Sequence, residues 1–239
     1  MTEQVFQTDC YLKEFSATVT QVDVNTRAVQ LDKTAFYPGG GGQPCDLGLL
    51  TFDDNVYTVN KVKKQGEYID HYLDGSETLP DMGSKVSGCI DWDRRYKLMR
   101  THTGMHILCG VIFRDYGASV TGGNMDLLKG RMDFEFETLK AEFVHKIENE
   151  INEEVKKGLN VRIAIIPRDK AFKIPDLIRT RINLLPPGIK FVRTVEIEGL
   201  DLQADGGTHV KNTIEVGRIK IVDYKSKGAI NKRIYIELD

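Results

Sequence analysis

The stretch Asp91-Trp-Asp-Arg-Arg-Tyr-Lys-Leu-Met-Arg-Thr-His102-Thr-Gly-Met-His106 divides this chain of 239 residues into two kinds of sequence. It starts with an acidic residue of the capping type and carries Tyr96, Leu98, Met99, Ile107 and Leu108 at helical spacing. It therefore predicts a helix from about residue 91 through Cys109 and Ile112 to near Gly117. Within it His102 and His106 stand four residues apart, which puts both imidazoles on one helix face. One metal ion can touch both.

About a hundred residues later, Asp205-Gly-Gly-Thr-His209 repeats the four-residue spacing with a carboxylate and an imidazole. Its two glycines make it a loop or strand turn rather than a helix. A lone histidine is more often a hydrogen-bonded core or surface residue than a ligand. A helical pair joined by a third histidine after Gly206-Gly207-Thr208 is different. Zinc takes histidine nitrogen and carboxylate oxygen in a roughly tetrahedral set, so the metal candidates are His102, His106, Asp205 and His209, with Zn2+ as the ion.

Upstream of the helix, residues 1–90 alternate short β-type runs with Gly, Asp and Pro punctuation: Phe15 to Val22, Ala28 to Leu31, Val56 to Val59 and Tyr68 to Leu73. This spacing predicts a small antiparallel β domain, a barrel. Inside it lies Phe36-Tyr-Pro-Gly39-Gly40-Gly41-Gly42-Gln43-Pro44. The run lacks the Lys-Ser/Thr of a P-loop and opens no convincing helix, which argues against a nucleoside triphosphate site. The stiff flanking residues favour a shaped loop that approaches a ligand or a neighbouring domain over a loose hairpin tip.

Downstream, residues 91–239 read as helices followed by several strands. Val120 to Asn124 is expected to turn and Arg131 to Glu137 to form a strand. Leu139 to Lys157 carries Phe143, Ile147, Ile151 and Val155 at four-residue steps, an amphipathic helix closed by Gly158. Strands are expected at Val161 to Ile166, Phe191 to Ile197, Ile214 to Val222 and Ile234 to Leu238, with a loop at Pro186-Pro187-Gly188. The expected class is α+β, an N-terminal antiparallel barrel followed by helices on a largely antiparallel sheet.

Composition bounds the partners. A formal net charge of −2, from 33 basic and 35 acidic residues, offers no bulk attraction to nucleic acid, so such binding needs a local patch. Arg94, Arg95, Lys97 and Arg100 before the first motif, Lys211 and Arg218 after the second, and Lys129 with Arg131 are candidates. Four scattered cysteines read as reduced thiols. The N-terminus lacks a signal-type pattern and no apolar run approaches membrane length, so a cytoplasmic protein without membrane contact is expected.

Three stretches together carry a resemblance: Phe36 to Pro44, Arg100-Thr-His-Thr-Gly-Met-His-Ile-Leu108 and Gln203-Ala-Asp-Gly-Gly-Thr-His-Val210. In kind, order and separation they resemble alanyl-tRNA editing proteins of the medium-length AlaX type, free-standing relatives of the editing domain of alanyl-tRNA synthetase. The likeness spans nearly the whole chain. It implies a barrel domain over residues 1–90, a zinc-bearing editing domain over 91–239, and hydrolysis of serine or glycine wrongly attached to alanine tRNA. One departure stands out: the family pattern has Cys-Gly-Gly-Thr-His where this chain has Asp205, a hard carboxylate in place of a soft thiolate.

Hydrolysis of an aminoacyl ester needs an activated water and stabilisation of the developing oxyanion. Thr103, Asp205 and Thr208 are the catalytic candidates. Asp205 serves either as a ligand or as a general base, and the hydroxyls bind a serine side chain or cap and pack. Gly39, Gly40, Gly41, Gly42, Gln43, Thr121 and Arg100 are the substrate-binding candidates. Two other classes stand beside this reading: a tRNA-binding module that has lost its chemistry through Asp205, and a general zinc esterase that ignores the tRNA body.

Overall fold

The computed structural model describes residues 1–136, 140–177 and 188–239. Leu139, where the second helix was expected to start, Glu137 at the end of the Arg131 strand, and Pro186-Pro187 of the expected loop lie outside them. The chain forms two compact units, Met1–Tyr96 and Lys97–Asp239.

The first unit contains β1 (Glu3–Gln4), β2 (Glu14–Asp23), β3 (Ala28–Leu31), β4 (Lys33–Thr34), β5 (Gly48–Phe52), β6 (Asn55–Gln65), β7 (Tyr68–Leu73) and β8 (Lys85–Ile90). Strands β2-β3-β7-β6-β5-β8 close into an antiparallel barrel, and β1 pairs in parallel with β4 outside it. Alternation explains the closure. In β7 and β8 every second residue is buried, so one face of each strand fills the interior and the other meets solvent. Val19, Val29, Leu31, Phe36, Leu50, Val59 and Ile69 make up the centre.

The glycine run is built as a fixed loop. Gly39 to Gly42 all take positive φ, at 81°, 141°, 56° and 89°, a backbone that only glycine adopts four times in succession. Gly40 and Gln43 exchange N–H···O bonds at 3.0 and 2.9 Å across the Gly41-Gly42 turn, and the Tyr37 hydroxyl donates to Gly40 O at 3.0 Å. At the base of the loop Tyr37 N donates to the Asp46 carboxylate and Asp46 N to Tyr37 O. The Arg95 guanidinium, wholly buried, pairs with Asp46 and also donates to Cys10 O and Ala35 O. Arg95 is therefore withdrawn from the basic cluster that the sequence suggested. Its charge is neutralised inside the first unit and cannot meet phosphate.

Helix α1 (Trp92–Tyr116) opens at Asp91, whose Oδ1 accepts from Arg94 N at 3.1 Å. It is buried without a break from Thr101 to Ile112, so it is a core helix rather than an amphipathic surface one. The second unit adds β9 (Val120–Asp126), β10 (Lys129–Glu135), α2 (Ala141–Lys156), β11 (Val161–Pro167), α3 (Arg168–Ala171), β12 (Phe191–Ile197), β13 (Asp201–Ala204), β14 (Ile219–Ser226) and β15 (Asn231–Leu238). They form two antiparallel sheets, β14-β15-β10-β9 and β11-β12-β13. The protein is thus α+β, a barrel followed by helices on antiparallel sheets. Helix α2 turns Val144, Ile147, Ile151 and Val155 inward, while Phe143 stays half-buried against Tyr116 and Phe136.

Two local expectations fail. Val120 to Asn124 is strand β9, not a turn. Its Gly123, with Gly130 on β10, makes room for helix α1: a methyl group at Gly123 would lie 3.3 Å from Met105 Cε, and one at Gly130 2.9 Å from Met105 Sδ. The expected strand over Ile214 to Val222 begins only at Ile219. Before it, Thr213–Val216 forms a 3-10 turn, started by a reciprocal cap between Asn212 and Glu215 and ended by Gly217 at φ 76°. Among the described residues no helix is long and apolar enough to cross a membrane.

Candidate metal centre

Helix α1 presents His102 and His106 one turn apart, and the loop after β13 brings Asp205 and His209 to the same place. Taking one ligand atom from each, the four donors lie within 4.8 Å of one another. The three ring centroids are 4.2 to 5.1 Å apart, with His102 and His209 stacked at 28°. Asp205 bridges two of the rings, Oδ1 standing 3.5 Å from His102 Nε2 and Oδ2 3.0 Å from His209 Nε2.

The loop is held by its own backbone and by β12. Gly207 N donates to Asp205 Oδ2 at 2.7 Å, an Asx-type turn. Arg193 Nη1 donates to Asp205 O at 2.8 Å, and Asp205 N returns a bond to Arg193 O at 3.1 Å. The carboxylate is thereby aimed into the cluster.

Outer partners orient two of the imidazoles. His106 Nδ1 lies 2.9 Å from Asp201 Oδ2 at the start of β13, so this nitrogen carries a proton and Nε2 faces the cluster. His209 Nδ1 lies 3.1 Å from Thr103 Oγ1, which also accepts from Val210 N at 3.3 Å. A hydroxyl both donates and accepts, so Thr103 supports either tautomer of His209, including the one that leaves Nε2 with a bare lone pair.

The electrostatics follow. Burial holds His102 well below the usual histidine range and pushes His209 down to about 4, with Asp205 opposing it in both cases. Burial also works against charge on His106, but the hydrogen bond to Asp201 and that residue's charge outweigh it and raise the pKa. At Asp205 burial favours the neutral acid, yet the surrounding imidazoles, His102 first, hold its pKa well below the carboxylate range. A metal ligand set requires neutral imidazoles and an ionised carboxylate; the lowered pKa values of His102, His209 and Asp205 accord with that, and the raised one of His106 does not.

The residues fit zinc. Tetrahedral bonds of about 2.0–2.1 Å separate donors by about 3.4 Å, and the two Asp205 contacts at 3.5 and 3.0 Å already bracket that spacing. The remaining donor separations are at most 4.8 Å.

The other sequence candidates have the following surroundings. Thr103 stands behind His209, and Thr208 is fully buried beside it in the chain. On β9, Thr121 Oγ1 donates to Asn231 Oδ1 at 3.1 Å, on the strand-paired surface of the sheet. The Arg100 guanidinium donates to Val216 O at 2.9 and 3.1 Å and to Asp239 O, tying down the chain end. Gly39 to Gln43 belong to the first unit. Sequence reasoning missed Asp201, Arg193 and Gln203 as neighbours of the cluster. Gln203 lay inside a quoted motif but had no assigned role, and Asp201 and Arg193 carry no local signal.

Fold and site define an α+β protein with a candidate metal centre. Residues 192–235 match the threonyl and alanyl tRNA synthetase second additional domain, and residues 4–94 match the class II (A) tRNA synthetases. The chain is 42% identical to the alanyl-tRNA editing protein AlaX-M of Saccharolobus solfataricus, over 98% of each chain. It is 39% identical to the AlaX-M of Methanosarcina barkeri, over 100% of this chain and 99% of that one. An alanine–tRNA ligase of Ignicoccus hospitalis matches at 40% over 92% of this chain but only 24% of the ligase. The chain belongs to the AlaX-M family of alanyl-tRNA editing proteins.

Proposed function

We propose that this protein is a free-standing deacylase that hydrolyses serine or glycine wrongly esterified to alanine tRNA, at a zinc ion held by His102, His106, Asp205 and His209 in the second unit. The observation that carries the reading is the convergence of these four donors in a member of the editing family. When bound, zinc would polarise an ester carbonyl or lower the pKa of a water only with a position left open, as when the three histidines alone hold it; with Asp205 as a fourth ligand it would mainly position the substrate.

The remaining work is done by this chain's own groups. Thr103 orients His209, and Arg193 fixes the backbone that carries Asp205. Asp205 helps to hold the ion, with its carboxylate also within reach of two imidazoles. The backbone of Gly39 to Gln43 forms a preshaped loop for the substrate, its stiffness limiting the ordering cost of binding. A tRNA substrate accords with the cytoplasmic location expected from the sequence.

The test is deacylation of seryl- and glycyl-tRNA(Ala) by the purified protein, with a chelator and then with zinc restored. Acceleration that the chelator abolishes and zinc restores is the expected result. Binding of the charged tRNA without acceleration would leave a binding module. Equal activity on small esters would leave a general esterase, and activity indifferent to the chelator would remove zinc from the reading.

A further inference from the structure

We infer that Asp201 is a positioning residue of this centre: it fixes the His106 ring with Nε2 turned into the ligand cluster and places a negative charge behind the ring. The inference rests on the zinc reading above and concerns a residue outside the ligand set.

Three observations support it. The Asp201 side chain is completely buried, and its Oδ2 stands 2.9 Å from His106 Nδ1, so the ring's outward nitrogen is the proton donor. The same oxygen accepts from Gln203 Nε2 at 2.7 Å, and that amide also lies 3.3 Å from Cys109 Sγ. The carboxylate is therefore held by a second donor that is itself held by helix α1, one turn beyond His106. Finally, the helix surface is cut away where Asp201 arrives. Gly110, four residues after His106, faces Leu200 and Asp201, and a methyl group there would lie 2.9 Å from Leu200 Cγ and 3.1 Å from Asp201 Cβ.

The physical consequence is specific. A buried carboxylate is costly unless it is matched by charge and hydrogen bonds, and a cation at His106 Nε2 matches this one through the ring. Donation from Nδ1–H to a carboxylate raises the basicity of the opposite nitrogen and locks the ring angle, and losing such an outer partner costs metal affinity about 10–100-fold. His209 has a neutral hydroxyl in the corresponding place. The two rings are thus held differently, His106 more rigidly and with charge.

The experiment compares the full-length parent with Asp201→Leu and Asp201→Asn. Zinc affinity is read by competition with a chromophoric chelator, and the His106 ring protonation site by nitrogen-15 NMR of the zinc-loaded protein. Asp201→Leu is expected to weaken zinc binding about 10–100-fold and to abolish the hydrogen-bonded Nδ1–H signal. The asparagine amide oxygen can still accept from His106 and Gln203, so Asp201→Asn should keep that signal and lose less affinity than the leucine variant. A folded leucine variant with parental zinc affinity and an unchanged His106 signal overturns the inference. If the leucine variant does not fold, the asparagine variant decides, and disappearance of its Nδ1–H signal counts against the geometry. A parent that takes up no zinc removes the metal reading and this inference together. A parent that binds zinc beside an unaffected leucine variant removes this inference alone.

Discussion

His71 in the barrel and His209 in the second unit are both buried, and burial pushes both down to about 4. Their nitrogens differ. His71 Nδ1 faces Val29 O at 3.1 Å, and Nε2 lies 2.8 Å from Thr34 Oγ1, which accepts from Phe36 N. The arrangement fixes the Nδ1–H tautomer and uses both ring atoms within the barrel. His209 closes only one side in that way, on Thr103, and turns the other toward Asp205 and two more imidazoles. Burial and a depressed pKa therefore do not distinguish a structural histidine from a ligand. What distinguishes them is where the second nitrogen points and what it shares.

The same contrast holds for the carboxylates. Asp46 is matched inside the first unit by the Arg95 guanidinium and Tyr37 N. Asp205 is aimed at imidazoles, with its nearest guanidinium, Arg193, bonded to its backbone and 3.7 Å from Oδ2.

The sharpest way to break this comparison is to remove a ring from each region. His102→Ala or His106→Ala should lower zinc affinity and seryl-tRNA deacylation by at least about a thousandfold, more than the loss of an outer partner, with the far-UV circular dichroism kept. Parental metal content and activity in both variants would place these rings with His71 as structural. In the barrel, Arg95→Met strands the Asp46 carboxylate in a buried site and should cost about 3–5 kcal/mol of stability. The fluorescence of Trp92, the chain's one tryptophan and part of the first unit, reports it in a urea titration. An unshifted midpoint would show that the buried pair contributes nothing.

A pH series sharpens the comparison further. The unfolded chain protonates His71 near 6.5, whereas the folded barrel does so only at about 4. As pH falls through that window the unfolded state binds the extra proton. Stability from this group is thus complete above 6.5, declines on the way down and is gone below 4, a loss of about 3 kcal/mol. His71→Leu should flatten the slope of the Trp92-detected unfolding energy between pH 6.5 and 4, even though it is less stable at pH 7. Parallel profiles for parent and variant would contradict the burial argument.

The smallest effect is expected at Gly41. Its φ of 56° is strained for a β-branched residue although the space around it is open. Gly41→Val should cost about 1–2 kcal/mol and reduce deacylation without loss of bound zinc. Full activity would make the loop a turn and nothing more.

Legibility in the sequence followed distance along the chain. The His102/His106 pair was readable because helical spacing alone puts both rings on one face, and the Gly-Gly-Thr-His loop because its residues are contiguous. Strand alternation announced the barrel in the same way. Gly122-Gly123 misled because a glycine pair is a turn signal locally, whereas Gly123 stands against Met105 on a helix 18 residues earlier in the chain (123 − 105). Arg95 looked like a surface cation, since its partner Asp46 lies 49 residues away. Thr103 read as a hydroxyl for a serine side chain or for capping and packing, and only the fold turns it onto His209.

By itself, then, the sequence determined most of the elements, the α+β order and the candidate donors of the centre, since each depends on periodicity or on a short contiguous motif. The tertiary structure alone decided which donors meet, which nitrogen of each ring faces inward, and that Asp201 stands behind His106. Those depend on the packing of α1 against β13, where residues 95 positions apart come within hydrogen-bonding distance. No local rule encodes a contact whose geometry is set by the packing of everything between.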